Sequence, residues 1–492
     1  MKEELLDVTK KSGIVFIGKI IGVVFGLIFN ILAARFMGAN IYGSFMYVYT
    51  VISFFPLIVK MGLDQGLISF IPKVNQNKKK NLITFSLFLT FFLAIICSVI
   101  IVFSSDFIAD NILSNVQLSS LIRLVAPLII FLTFIELAKG VFRSISKVNH
   151  FVIAKSIMIP FFKLLSVSVA YVFGYKLFGL VGAFYISLLV SSIYLLNVIR
   201  KLNLITLLNL KYSSDYKQLI LFSFPLLLTG ILGYLINRTD TFMIGYFLSE
   251  DKVGIYNIAL KVGRMSSFIL TSFNTIFAST ISTLYHKGNM KRLTKMYKVI
   301  TKWVVGANLV FFSIILLFNE QIMRLFGTEF MMGGFALILI SIGQLVNAGV
   351  GSAGYINIMT GYPEYEFYLN SLTASVNIVM NYFLIPRFGI EGAALASLVS
   401  IALANILRLA LVYKNYNIHP YNISYLRLVF IIFSSCFFVN GLDVVINLHW
   451  FLELIVLSTV FIGLVSILYY YLGLSTEDQI IIDSILKKVR ET

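Results

Sequence analysis

Long apolar segments follow one another along almost the whole chain, and this pattern leaves few folds open. About fourteen can be marked, near residues 13–36, 41–62, 82–103, 120–142, 151–174, 177–199, 217–247, 252–284, 299–318, 333–359, 365–386, 389–412, 425–445 and 449–473. A helix crossing the hydrocarbon core of a bilayer needs roughly 20 apolar residues, which is the length of these segments. The chain is 59% hydrophobic and only 12% charged, where a soluble domain carries about 25% charged residues. The pattern predicts an all-α integral membrane protein. The first segment is long enough to span and reads as a retained helix, not as a cleaved leader with its shorter apolar core.

The charge between the segments predicts direction. Lys73 and Lys78–Lys80 follow the second segment, Arg143 and Lys147 the fourth, Arg200 and Lys201 the sixth, and Lys287, Lys291, Arg292, Lys295 and Lys298 the eighth. The alternate loops are poor in cations and carry Asp106, Asp110 and Asp443. Cationic loops stay cytoplasmic, so both termini are expected inside, in a multi-pass protein of the cell membrane. The net charge of +17 lies in these loops and in the spans, and not in a separate basic domain, which argues against nucleic acid as a partner. Cys97 and Cys436 both fall in apolar runs with no disulfide or metal spacing.

The chain also repeats itself. Phe178-Gly179-Leu180-Val181-Gly182-Ala183 returns as Phe388-Gly389-Ile390-Glu391-Gly392-Ala393, an offset of 210. Phe36-Met37-Gly38 followed by Gly43 returns as Phe247-Leu248-Ser249 followed by Gly254, an offset of 211 for the second glycine. Six spans separate each motif from its copy, an even number, so the copies have the same orientation. Parallel repeats of this kind are related by an axis along the membrane normal. The expected organisation is a first lobe of spans one to six (1–208), a second lobe of spans seven to twelve (209–415) and an added pair, spans thirteen and fourteen (416–473). A short tail helix at 474–492 would lie on the inner membrane surface or pack on cytoplasmic loops. Thr476 and Gln479 suit its capping box.

Ionisable residues deep in a span cost about 2.5–3.5 kcal/mol on insertion scales, so they face a cavity or a partner. Lys19, Lys60, Glu136, Lys139, Lys155, Lys163, Arg238, Asp240, Lys261 and Arg264 are such residues. Lys60 and Lys155 lie towards the cytoplasmic ends and have a second reading as snorkelling side chains. Glu136 and Lys139, spaced i,i+3, have one as a self-neutralising pair. Lys19, Lys60, Lys139, Lys163, Lys261 and Arg264 together suggest a cationic cavity for an anionic, phosphate-bearing substrate. Pro56, Pro127, Pro160 and Pro225 stand within spans, where each removes a backbone donor and permits a kink.

Three segments carry a resemblance. Ala34-Arg35-Phe36-Met37-Gly38 with Tyr42-Gly43, Asp240-Thr241-Phe242-Met243-Ile244-Gly245 with Val253-Gly254-Ile255-Tyr256-Asn257, and Asn377 through Pro386 with Gly389-Ile390-Glu391-Gly392-Ala393-Ala394 resemble motifs of the polysaccharide biosynthesis flippases. That family belongs to the superfamily that also holds multidrug exporters and lipid II flippases. The resemblance covers essentially the whole chain. It implies transfer of a polyprenyl-(pyro)phosphate-linked oligosaccharide from the cytoplasmic to the outer leaflet by alternating access. Membrane lipids and the glycosyltransferase, polymerase or ligase machinery of the glycan would then be partners. Lys19, Lys60 and Arg264 fall on spans comparable to those that carry basic residues in related lipid II flippases, with lysine at two places where those proteins have arginine.

No phosphate-binding loop of the GxxxxGK[ST] type is present, so an ion gradient is the expected driver. Asn377 and Asn381, spaced i,i+4, share a helix face, and with Asp240 they would suit sodium. The resemblance places a sodium site on the same spans. A proton on Asp240 is the other reading, and a structural one has the asparagines bonding between helices and Asp240 pairing with Arg238 or Lys261. No catalytic residues, cofactor or resident metal are expected. Two other classes stay open: a small-molecule antiporter of the same superfamily, and a membrane polysaccharide polymerase or ligase, which would normally carry a large outer loop not found here.

Overall fold

The computed structural model describes residues 2–206, 214–422, 424–445 and 449–473; the expected tail helix at 474–492 and the side chain of Lys19 lie outside the described residues. Helices and turns account for the described residues, with no strand among them. Among the described residues, eleven helices are long and apolar enough to cross a membrane, twelve if the bent pair Val116–Val125 and Leu128–Ser144 is one span. That pair meets at 50° beside Pro127, whose ring removes a backbone donor. Of the other expected kinks, Pro56 and Pro160 open the short helices Phe55–Val59 and Ile159–Val172. Pro225 sits inside Ser214–Phe247 without interrupting it.

Two segments, Ile20–Lys73 and Pro363–Tyr416, run for 54 residues each. A straight helix of that length would reach roughly 80 Å at 1.5 Å per residue, against about 30 Å of hydrocarbon core. Each is broken at a glycine in the left-handed half of conformational space: Gly38 (φ 77°, ψ 168°) and Gly389 (φ 58°, ψ −138°). A Cβ is strongly disfavoured there, so the chain can reverse at those two residues and not one position away. Both glycines belong to the repeated motifs.

Residues cluster into two compact units, 1–257 and 258–492. In the first, the two copies of a repeated motif touch. A Cβ placed on Gly43 would fall 1.7 Å from the carbonyl oxygen of Glu250, and one on Gly254 would fall 2.4 Å from that of Ala39. Gly254 is the repeat copy of Gly43 and Glu250 that of Ala39, so the contact is reciprocal. Tyr42, Phe45 and Tyr47, all fully buried, surround this crossing. In the second unit, Ser424–Val445 and Trp450–Leu468 pack on Met290–Arg324 through Phe318, Leu428, Ile431, Val439, Leu457 and Phe461. Gln321 donates to Glu453 at 2.7 Å, and the Arg324 guanidinium lies 4.8 Å from the Trp450 ring, which ties the C-terminal end of Met290–Arg324 to the start of Trp450–Leu468.

Candidate functional site

Lys163 has the most unusual surroundings of the expected cations. It projects from Ile159–Val172 onto the face of Phe184, with its ammonium 3.3 Å from the ring centroid and 5.7 Å from that of Phe29. Phe184 in turn contacts Phe45 at 4.7 Å, Tyr49 at 5.0 Å and Phe29 at 6.2 Å between centroids. The rings come from the first, second and sixth spans, so only the packed bundle assembles them. An ammonium on a desolvated ring face gains about 2 kcal/mol or more, which offsets part of its cost in the membrane. No carboxylate pairs with Lys163 among the described residues.

The cations of the second, fourth and fifth spans are arranged differently. Lys60 is 8% exposed and donates to Asp64 Oδ2 at 3.0 Å; Asp64 is 3% exposed. Lys60 therefore does not snorkel. It stands at a break in the second span, where Phe55–Val59 ends and Met61 (φ 49°) and Gly62 (φ 73°) turn the chain into Leu63–Phe70. That helix and the turn Ile71–Lys73 continue beyond it, so Lys60 is interior to the span and not at its end. Asp64 was not marked in the sequence, although its i,i+4 spacing from Lys60 is a signal for such a pair. Glu136 joins Lys139 at 3.4 Å and also accepts from Lys155. Lys139 and Lys155 are thus answered by one shared carboxylate, and Lys155 is half-exposed.

Asp240 is buried and accepts from the Tyr256 hydroxyl at 2.7 Å. Both residues lie in the first unit. Asn377 and Asn381 lie in the second, also buried. Asn381 Nδ2 donates to Asn377 Oδ1 at 3.1 Å, and Asn377 Nδ2 to Ser397 Oγ at 3.4 Å, which bridges the two arms that meet at Gly389. Lys261 and Arg264 sit half-buried where Glu250–Gly263 gives way to the tight turn Arg264–Ser266. Glu366 is met by Arg408 at 2.9 Å, and Arg408 also donates to Asn370.

A bundle of long apolar helices with buried cations inside it defines a polytopic membrane protein. A family model described as polysaccharide biosynthesis protein matches residues 8–284, more than half of the chain, and one described as MatE matches 225–383. The chain belongs to the polysaccharide biosynthesis protein family, within the superfamily that includes multidrug and lipid transporters. Among curated relatives, the probable flippase AglR of Haloferax volcanii is 28% identical over 34% of this chain. The probable low-salt glycan biosynthesis flippase Agl15 of the same organism is 28% identical over 36%. The matches span a little over a third of those two proteins, 36% and 38%. The uncharacterized membrane protein MJ1068 of Methanocaldococcus jannaschii is 24% identical over 71% of this chain and 73% of its own length. Among solved structures, the lipid II flippase MurJ in an inward closed conformation superposes with a TM-score of 0.74 at 13% identity, covering 93% of this chain and 98% of that one. An inward-facing multidrug resistance MATE transporter gives 0.66 at 14%, covering 80% and 94%. These likenesses establish the fold.

Proposed function

We propose that the protein is a flippase that moves a polyprenyl-(pyro)phosphate-linked oligosaccharide from the cytoplasmic to the outer leaflet of the cell membrane, by alternating access and at the expense of an ion gradient. The observation that carries the reading is Lys163. An ammonium held on aromatic faces in a span, with no carboxylate partner among the described residues, is a receptor for an anion that arrives from elsewhere. A phosphate or diphosphate on a lipid carrier suits it, with the lipid tail left in the bilayer. The names of the Haloferax relatives support the same substrate class. Translocation involves no covalent step, so the protein acts as a carrier between the enzymes that build the glycan on one face and those that use it on the other. Lys19, Lys60, Lys139, Lys261 and Arg264 are the further cations of the proposed binding path. Asp240, Asn377 and Asn381 are the proposed coupling-ion residues, with sodium favoured.

Fourteen spans are the arrangement that fits best. Counting the bent pair as one span and each 54-residue segment as two gives that number. The reciprocal contact of Gly43 and Gly254 supports a pseudo-two-fold relation between the repeats. Cytoplasmic termini follow from the loop charge.

The test is transport by the purified chain in vesicles loaded with a fluorescent prenyl-diphosphate disaccharide on the inner leaflet. Lys163→Ala is expected to lower the flipping rate at least tenfold, equivalent to about 1.4 kcal/mol, with insertion unchanged. Lys163→Arg should retain part of it, since a guanidinium also binds phosphate and stacks on rings. Wild-type rates in Lys163→Ala, or transport of small organic cations in place of the lipid, would refute the reading.

A further inference from the structure

The helix Met290–Arg324 begins with positive charge where a helix least favours it. Lys291, Arg292, Lys295, Lys298 and Lys302 all lie in its first turns, at the positive end of the helix dipole. No acidic residue follows on that helix before Glu320. Lys291, Lys295, Lys298 and Lys302 are spaced by four, three and four residues, which sets them on one face. Burial rises along this face. Lys291 and Lys295 are exposed, Lys298 is half-buried and Lys302 is 5% exposed. Local helix stability does not call for such a row, so its reason lies in what the face meets.

The row ends in a cavity. A space of about 290 Å³ lies between Met290–Arg324, Ser424–Val445 and Trp450–Leu468, lined by Lys302, Gly306 and Ala307 from the first, Leu428 from the second, Val465 from the third and Tyr469 just beyond it. The Lys302 ammonium lies 5.7 Å from the Tyr469 ring centroid. Gly306 helps keep the space open, since a Cβ there would already meet Leu428 at 3.0 Å. Ala307 and Ser466 in the wall are exposed, as are Ile462 and Ile467 on the last helix, so the cavity gives onto the apolar surface of the bundle. The Ser466 hydroxyl is turned to the Ile462 carbonyl, which leaves the chamber apolar beyond Lys302. A charge at one end and an apolar chamber beyond it match an anionic amphiphile.

We propose that this cavity binds one anionic phospholipid of the cytoplasmic leaflet, with its phosphate at Lys298 and Lys302 and one acyl chain between the three helices. Lysines beside a membrane surface attract anionic headgroups, and the graded burial carries that attraction from water to the cavity, where lower polarity strengthens it. The volume is at the lower end of the range for ligand pockets. It takes part of one chain and leaves the other in the bilayer. A chain seated there touches all three helices, so the lipid holds the last two spans on Met290–Arg324. The leaflet follows from the loop charge. None of these residues belongs to the sets proposed for transport or for the coupling ion, and the inference does not depend on the flippase reading.

The test is native mass spectrometry of the full chain in detergent, titrated with phosphatidylglycerol or with phosphatidylcholine. Wild type is expected to hold one phosphatidylglycerol with a preference of about fivefold or more over phosphatidylcholine. Lys302→Met keeps the apolar stem, removes the charge and should lose the preference. Ala307→Trp keeps every charge, fills the cavity from an exposed position and should lose the tightly held lipid. Lys302→Arg and Lys291→Gln should retain both. Thermal unfolding of the same proteins should be delayed by phosphatidylglycerol in wild type, Lys302→Arg and Lys291→Gln alone; if Lys302→Met does not fold, Ala307→Trp decides. Equal binding of the two lipids by wild type, or phosphatidylglycerol binding unchanged in Lys302→Met or Ala307→Trp, would overturn the site. An equal loss in Lys291→Gln and Lys302→Met would reduce it to diffuse surface charge. Displacement of phosphatidylglycerol by equimolar farnesyl phosphate would give the cavity to a prenyl lipid and overturn the assignment.

Discussion

Substituting Gly43 tests the contact that joins the two repeat copies. A Cβ added at Gly43 would lie 1.7 Å from the carbonyl oxygen of Glu250, 2.7 Å from its carbon and 2.8 Å from the nitrogen of Gly254. Real Cβ contacts essentially never come under 3.0 Å. All three obstacles are backbone, so no side chain can swing away and the two helices must separate by roughly 1 Å or more, in the range where overpacking costs about 1–3 kcal/mol and occasionally more. The expected shift in the folding equilibrium is roughly five- to 150-fold at 1.36 kcal/mol per tenfold. Gly254→Ala meets the Ala39 carbonyl at 2.4 Å and should behave alike, and the double substitution should cost less than the sum, because one separation relieves both clashes. Gly182 and Gly233 are the controls: no atom lies within 4 Å of a Cβ built on either. Alanine there should be neutral or stabilising by about 0.5–1 kcal/mol through helix propensity. Thermal unfolding followed by fluorescence-detected size exclusion measures all five proteins. Equal midpoints for Gly43→Ala and Gly182→Ala would refute the reasoning.

Three further outcomes are expected. Cysteines placed at Lys79 and Lys291 should react with an impermeant maleimide only from the cytoplasmic side, and one at Asp106 only from outside; labelling of the Lys79 position in intact cells would reverse the topology. Asp240→Asn and Asn381→Ala should each change the dependence of flipping on imposed sodium and proton gradients, and normal gradient dependence in both would move the coupling ion elsewhere. Asp106 accepts from the Ser119 hydroxyl and pairs with Arg123 at 2.7 Å, which together hold its carboxyl below the usual range. A depressed folded-state pKa stabilises above the unfolded value and is lost as pH falls through the folded one. The stability difference between wild type and Asp106→Asn should thus be present at neutral pH and vanish in acid; a difference that persists there would show that the loop is held by other contacts.

The membrane class and the approximate span ends were legible in the sequence because each depends on local properties. Apolar length is read within one segment, whereas the turns at Gly38 and Gly389 came from the structure, where both residues take the left-handed conformation. The repeat was legible too, since it is a comparison of the chain with itself. What the tertiary structure alone decided concerns pairing between helices distant in sequence. Lys163 read as one more buried cation until Phe29, Phe45, Tyr49 and Phe184 were brought around it from three spans. Lys60 carried two readings, a cavity cation or a snorkelling side chain, and burial beside Asp64 at a break in the helix removed the second. Glu136 was paired in sequence with Lys139 only; the fold added Lys155 from the next span. The physical reason is that insertion into a membrane is governed by the mean hydropathy of about 20 residues. The state of a buried charge, by contrast, is governed by the one or two groups within about 4 Å of it, which only packing selects.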